Sequence, residues 1–225
     1  MMRLLIPAVA FACLVACDPP GKPKEDEIPA LEVTDFKVLY SQNCSGCHGA
    51  NGKMGPGRIL HDSVYLSVVP KDALKHVIEF GREGTAMPAW ALSEGGPLTP
   101  QQVDVMVEGI ESWKTPVNIP VGKELPSYTE TTAGDAVNGK RLFLRGCYAC
   151  HAQGGIAGPI TDPSYLALST NQNLRTSIIV GRMDLGMPNY QILNAGHALN
   201  DQDISDLVAY LASLRPAGSA MGITK

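Results

Sequence analysis

The strongest constraint on what this chain can fold into is an internal repeat. Cys44-Ser45-Gly46-Cys47-His48 returns as Cys147-Tyr148-Ala149-Cys150-His151. Behind each lie, in the same order, Gly-Pro (Gly55-Pro56, Gly158-Pro159), Tyr-Leu (Tyr65-Leu66, Tyr165-Leu166), Gly-Arg (Gly81-Arg82, Gly181-Arg182) and Met-Pro (Met87-Pro88, Met187-Pro188). A leucine before a helix cap comes last, Leu98-Thr99 and Leu199-Asn200. The offset between partners stays within 100 to 103 positions, so the chain holds two copies of one domain. A domain this small buries only about 60% of the surface its unfolded chain exposes. A large apolar group inside the core would supply the missing burial.

The apolar periodicity predicts an all-α fold, two tandem domains of about three main helices each. The first helix spans Leu31 to Asn43, with Val33, Phe36, Leu39 and Tyr40 on one face, and its counterpart spans Ala136 to Arg145 with Val137, Leu142 and Phe143. The second carries Leu74, Val77 and Ile78, or Leu174, Ile178 and Ile179. The third starts at Thr99-Pro100 or Asn200-Asp201, where a side-chain oxygen can accept from an orphan N–H. Its stripe is Val103, Met106, Val107, Ile110 and Trp113, or Ile204, Leu207, Val208, Leu211 and Leu214. The domains are expected at 31–115 and 133–216. A proline-rich linker at 116–132 joins them, a tether at 17–30 precedes them and a tail at 217–225 follows.

Met1-Met2-Arg3 leads into an apolar run, Leu4 to Ala16, too short to span a bilayer and shaped like the core of a signal peptide. Leu14-Val15-Ala16-Cys17 resembles the bacterial lipoprotein box. That resemblance implies cleavage after residue 16, lipid on Cys17, and a protein held on the extracytoplasmic side of a membrane, since two or more acyl chains anchor stably. The six cysteines then divide without remainder: Cys13 leaves with the signal, Cys17 takes lipid, and Cys44, Cys47, Cys147 and Cys150 form the repeated pairs.

Cys-x-x-Cys-His is the signature of c-type haem attachment. Two cysteines one helical turn apart can each form a thioether to a haem vinyl group, which holds the adjacent histidine beneath the iron. A thioredoxin-like pair or half a zinc site can show the same letters. The first needs strands around the motif, which the sequence lacks; the second needs a fourth ligand and unlinked, reduced thiols in an oxidising compartment. With these landmarks in place, each half resembles a class I cytochrome c and the whole resembles two-domain dihaem cytochromes of the cytochrome c4 kind, over most of residues 31 to 215.

The resemblance implies two covalent haem c groups, with iron held by His48 and Met87 in one copy and His151 and Met187 in the other. A thioether favours Fe(II) and raises the potential. It also implies that the carbonyls of Pro56 and Pro159 accept from the proximal histidines, and that Arg82 and Arg182 pair with haem propionates. Trp90, Tyr65, Tyr165 and Tyr190 are candidates for lining the pockets. Met54, Met106, Met183, His61, His76 and His197 compete as ligands but do not recur between copies.

A formal charge of −4 with no basic run gives nothing to attract nucleic acid. Iron closed on both faces has no open position, so no small-molecule substrate is expected. The resulting expectation is an electron carrier, not an enzyme, whose partners are membrane redox complexes or other cytochromes. The alternatives are a dihaem enzyme acting on peroxide or thiosulfate, and a fixed cytochrome subunit of a larger complex.

Overall fold

Ten α-helices among the described residues fall into two runs of five in matching order. The computed structural model describes residues 28–119, 124–192 and 197–217; the signal, Cys17, most of the tether and most of the tail lie outside them. Copy 1 comprises α1 (Phe36–Asn43), α2 (Ser45–His48), α3 (Ser63–Val68), α4 (Lys71–Phe80) and α5 (Pro100–Glu111). Copy 2 comprises α6 (Ala136–Gly146), α7 (Tyr148–His151), α8 (Pro163–Ala167), α9 (Asn171–Val180) and α10 (Asp201–Ser213). No strand occurs among the described residues, only isolated bridges at Ala91–Leu98 and Arg182–Met187.

The caps explain most boundaries. Thr99 and Asn200 each form a capping box, with Gln102 and Asp203 reaching back to the cap's own N–H. That satisfies orphan donors at the start of the two longest helices. Asp35 accepts from Val38 N and starts α1 at Phe36. The helix is therefore shorter than the expected Leu31 to Asn43, and Leu31 stands exposed in a separate 3-10 turn, Ala30–Glu32. The short helices α3 and α8 were not expected. Asp62 and Asp162 cap them, and they bury Leu66 and Leu166, each worth roughly 1.5–3 kcal/mol.

In each copy the first helix crosses the last. Gly109 on α5 lets the Phe36 ring approach from α1, and Gly139 on α6 lets the Asp206 carbonyl approach from α10. Phe36, Tyr40 and Trp113 complete the first crossing as an aromatic cluster with centroids 5.0–5.7 Å apart. The stripes on α5 and α10 bury Val103, Met106, Val107, Ile110, Ile204, Leu207, Val208 and Leu211. Val137, assigned to the buried face of its helix, is instead exposed.

The linker is strapped to copy 2. Arg175, buried in α9, donates to Ser127 O at 3.0 Å and Ser205 Oγ at 3.2 Å, and pairs with Asp201. Asp201 also accepts from Ser127 N at 2.9 Å and from the Thr131 hydroxyl. Burial pushes the Asp201 carboxyl up, but the Thr131, Ser127 and Arg175 contacts outweigh it and hold the group below the ordinary aspartate range. A depressed folded pKa contributes stability that is complete above the unfolded value, about 3.9, and is lost as pH falls through the folded one. The strap should therefore loosen only below about pH 4. Asp201→Asn should cost about 2 kcal/mol by denaturant melt at pH 7, less than a fully buried pair because Asp201 is partly exposed. It should also flatten the acid limb of the stability profile.

Candidate functional site

The motif helices α2 and α7 are single turns that continue the helices before them. Cys44 N donates to Tyr40 O, and Cys147 N to Phe143 O, each at 2.9 Å. The four motif thiols are free. Burial, reinforced by the neighbouring cysteine, pushes the Cys44 thiol up to about 12 and the Cys147 thiol up to about 11. Among the described residues no group of three or more His, Cys, Asp or Glu could hold a metal ion. That counts against the zinc reading, and the lack of strands among the described residues counts against the thioredoxin-like one.

Gly-Arg and Met-Pro, separate landmarks in the sequence, form one device in space. Gly81 and Gly181 leave α4 and α9 with φ of 73° and 68°. A Cβ on either would lie within 2.7 Å of Met-Pro backbone atoms, so glycine is needed both for the turn and for the approach. Arg82 N then donates to Met87 O at 3.0 Å, and Arg182 N to Met187 O at 2.9 Å. Trp90 N to Ile78 O and Tyr190 N to Ile179 O, both 3.1 Å, fasten the segment further on.

These pieces converge on one cavity of about 690 Å³ lined from both copies. Cys44, Cys47, His48 and Met87 line it from copy 1, and His151 and Met187 from copy 2. Leu60, Tyr65, Leu74, Ile78, Trp90 and Ile110 add an apolar wall. Of the competing ligands, none lines the cavity. Met54 and Met183 are exposed and Met106 is core; His61 stacks on Trp113 and His76 tilts against Phe80. Among the aromatic candidates Tyr65, Trp90 and Tyr165 line the cavity, while Tyr190 does not and is core. Cys147 and Cys150 lie outside the lining, with Cys150 exposed.

His48 Nδ1 sits 2.7 Å from the Arg58 carbonyl and His151 Nδ1 sits 3.3 Å from the Gly158 carbonyl. A carbonyl only accepts, so Nδ1 carries the hydrogen and Nε2 keeps its lone pair for a metal. Burial also lowers the His48 pKa, against the Arg58 carbonyl, which raises it.

The acceptors are therefore not Pro56 and Pro159. Gly57 N donates to Cys47 O at 2.8 Å and Ala157 N to Cys150 O at 3.0 Å, and in each copy the next carbonyl faces the histidine. The loop to that anchor is three residues shorter in copy 2, so Gly-Pro precedes the anchor in one copy and follows it in the other. Pro56 O instead faces Arg182, 3.5 Å from its Nη1.

Arg182, expected beside a haem propionate, lines the cavity and is already paired with Asp184. Its Nε and Nη2 donate to Asp184 at 2.9 Å, and Nη2 reaches Gly55 O at 3.2 Å. The Arg182 contact holds the Asp184 carboxyl below its usual range. Arg82 lines the cavity, and its Nη2 donates to Asn173 at 3.1 Å.

A hydrophobic cavity presenting paired thiols, an imidazole lone pair and a thioether fits a porphyrin-bound iron, and the sequence families agree. Residues 32–108 match the family described as cytochrome C oxidase, cbb3-type, subunit III, and residues 136–215 match cytochrome c. The chain is a two-domain class I cytochrome c, and its two domains imply two covalently bound haem c groups.

Among curated proteins it is similar to the cbb3-type cytochrome c oxidase subunit FixP of Bradyrhizobium diazoefficiens, 27% identical over 85% of this chain and 64% of the relative. It is also similar to the subunit CcoP of Azospirillum, 25% identical over 85% of this chain and 65% of the relative. The chain thus spans a little under two thirds of the curated relatives it matches. Among solved structures, the reducing HAO-like protein complex of Kuenenia stuttgartiensis aligns at 19% identity and TM-score 0.47, over 84% of this chain and 100% of that one.

Proposed function

We propose that this protein carries single electrons between membrane-associated redox complexes, exported and anchored by lipid on Cys17. The observation that supports it best is the cavity lined by both histidine and methionine pairs while the rival methionines and histidines stay off its wall. In this reading Cys44 and Cys47, and Cys147 and Cys150, form the thioethers. His48 with Met87, and His151 with Met187, bind the two irons. Bound haem supplies the one-electron chemistry. The protein's part is to aim Nε2 through the Arg58 and Gly158 carbonyls, to fix the Met-Pro segments on Gly81 and Gly181, and to exclude water with the apolar wall. Ligation from both sides leaves no open position for peroxide or thiosulfate. Turnover of either by the purified protein, with one high-spin haem, would overturn the carrier reading.

The printed roles of the curated relatives, subunits of a cbb3-type oxidase, favour a second reading as a fixed subunit of a larger complex. Among the described residues no helix is long and apolar enough to cross a membrane. Solubilisation in mild detergent followed by a salt wash of captured oxidase distinguishes the two. A shuttle held by exposed charges should wash off in salt; retention of the chain in equal amount with the oxidase would establish the fixed subunit.

A further inference from the structure

The two copies are not electrically equivalent, and the difference sits beside the histidine. The residue whose carbonyl orients the ring is Arg58 in copy 1 and Gly158 in copy 2. Arg58 brings a guanidinium to the cavity wall, 5.7 Å from the centre of the Tyr65 ring. It donates to Ser177 Oγ of copy 2 at 3.0 Å, and its Nε is buried without a partner. Arg82 lies on the same wall, and among the described residues neither arginine forms an ion pair.

Copy 2 is arranged differently. Its cavity-lining arginine, Arg182, is matched by Asp184 through two bonds of 2.9 Å and spends its remaining reach on backbone carbonyls. Copy 1 therefore presents two unmatched cations to the cavity, while the one cation from copy 2 is neutralised.

Desolvation works against a charged Arg58, pushing its pKa down, and a buried cation without an anion is costly. On the haem reading, the carboxylates that answer it are propionates. Positive charge near an iron stabilises the reduced form, which carries one positive charge fewer than the oxidised form.

We propose that Arg58, with Arg82, makes the haem of copy 1 the higher-potential centre, so that an electron in the half-reduced protein rests beside His48. This rests on the dihaem reading. The test is an optical redox titration of the mature protein, its Arg58→Gln and Arg58→Lys variants, and the single variants Met87→Ala and Met187→Ala. Two one-electron waves are expected, with Met87→Ala displacing the higher. Arg58→Gln should lower that wave alone, by about tenfold in the one-electron equilibrium, about 59 mV, and Arg58→Lys should restore most of it. If Arg58→Gln does not fold, the order of the waves still decides. Displacement of the higher wave by Met187→Ala overturns the proposal. So does an Arg58→Gln protein with both waves unchanged or only the lower one shifted. Absence of two haem waves from the parent protein would instead defeat the dihaem reading.

Discussion

Met87→Ala is expected to drop the potential of one haem by an amount on the order of hundreds of millivolts, within the roughly 0.8 V that axial ligands span. It should also abolish one of two methionine-to-iron charge-transfer bands. Met187→Ala should do the same to the other haem. The size of the effect follows from ligand softness: a thioether prefers Fe(II), and its removal leaves the oxidised form relatively more stable. Met54, Met106 and Met183 are positioned too poorly to substitute, being exposed or locked in the core away from the cavity. The check is the charge-transfer region of the oxidised spectrum together with a redox titration. Two intact bands in Met187→Ala would remove that residue from the coordination sphere.

Gly139→Ala should destabilise copy 2 by about 3 kcal/mol, the upper part of the range for overpacking. Its Cβ would sit 1.9 Å from the Asp206 carbonyl oxygen, and 2.9 Å from Tyr210 Cβ. The obstacle is backbone of α10, so the helices must move apart. The mirror change, Gly109→Ala, meets Phe36 ring carbons from 2.0 Å, and a ring can swing aside, so a smaller loss is expected there. Thermal melts of the haem-loaded variants compare the two. A loss of about 3 kcal/mol corresponds to a shift of roughly 6–12 °C for a chain of this size. Equal, small shifts would mean that the two crossings yield equally.

Much of this architecture was legible because its landmarks answer one another through hydrogen bonds that a repeat must preserve. Gly-Arg and Met-Pro recur together because the glycine makes room for the methionine segment and the arginine N–H holds it. The striped helices α4, α5, α9 and α10 were visible from their periodicity, and α5 and α10 also from their N-terminal cap signals. What was missed has a common cause, which is that sequence spacing does not record loop register. Gly-Pro looked like one landmark, yet a three-residue difference in loop length puts it on opposite sides of the Gly57 and Ala157 anchors. The pairing of Arg182 with Asp184 was not legible because an aspartate two residues on gives no sign of folding back onto the guanidinium. Arg58 was overlooked because it has no repeated counterpart, and that lack of a counterpart is what makes the copies differ. The helices α3 and α8 are too short for periodicity, although Asp-Ser and Asp-Pro before Tyr-Leu carried a cap signal.

The most direct measurement is the intact mass and visible spectrum of the mature, exported protein after denaturation in acid. The expected result is a red polypeptide heavier than its lipidated chain by two haems, each resistant to extraction, with Cys44→Ser/Cys47→Ser and Cys147→Ser/Cys150→Ser each losing one. A colourless polypeptide, or a mass equal to chain plus lipid alone, would contradict it.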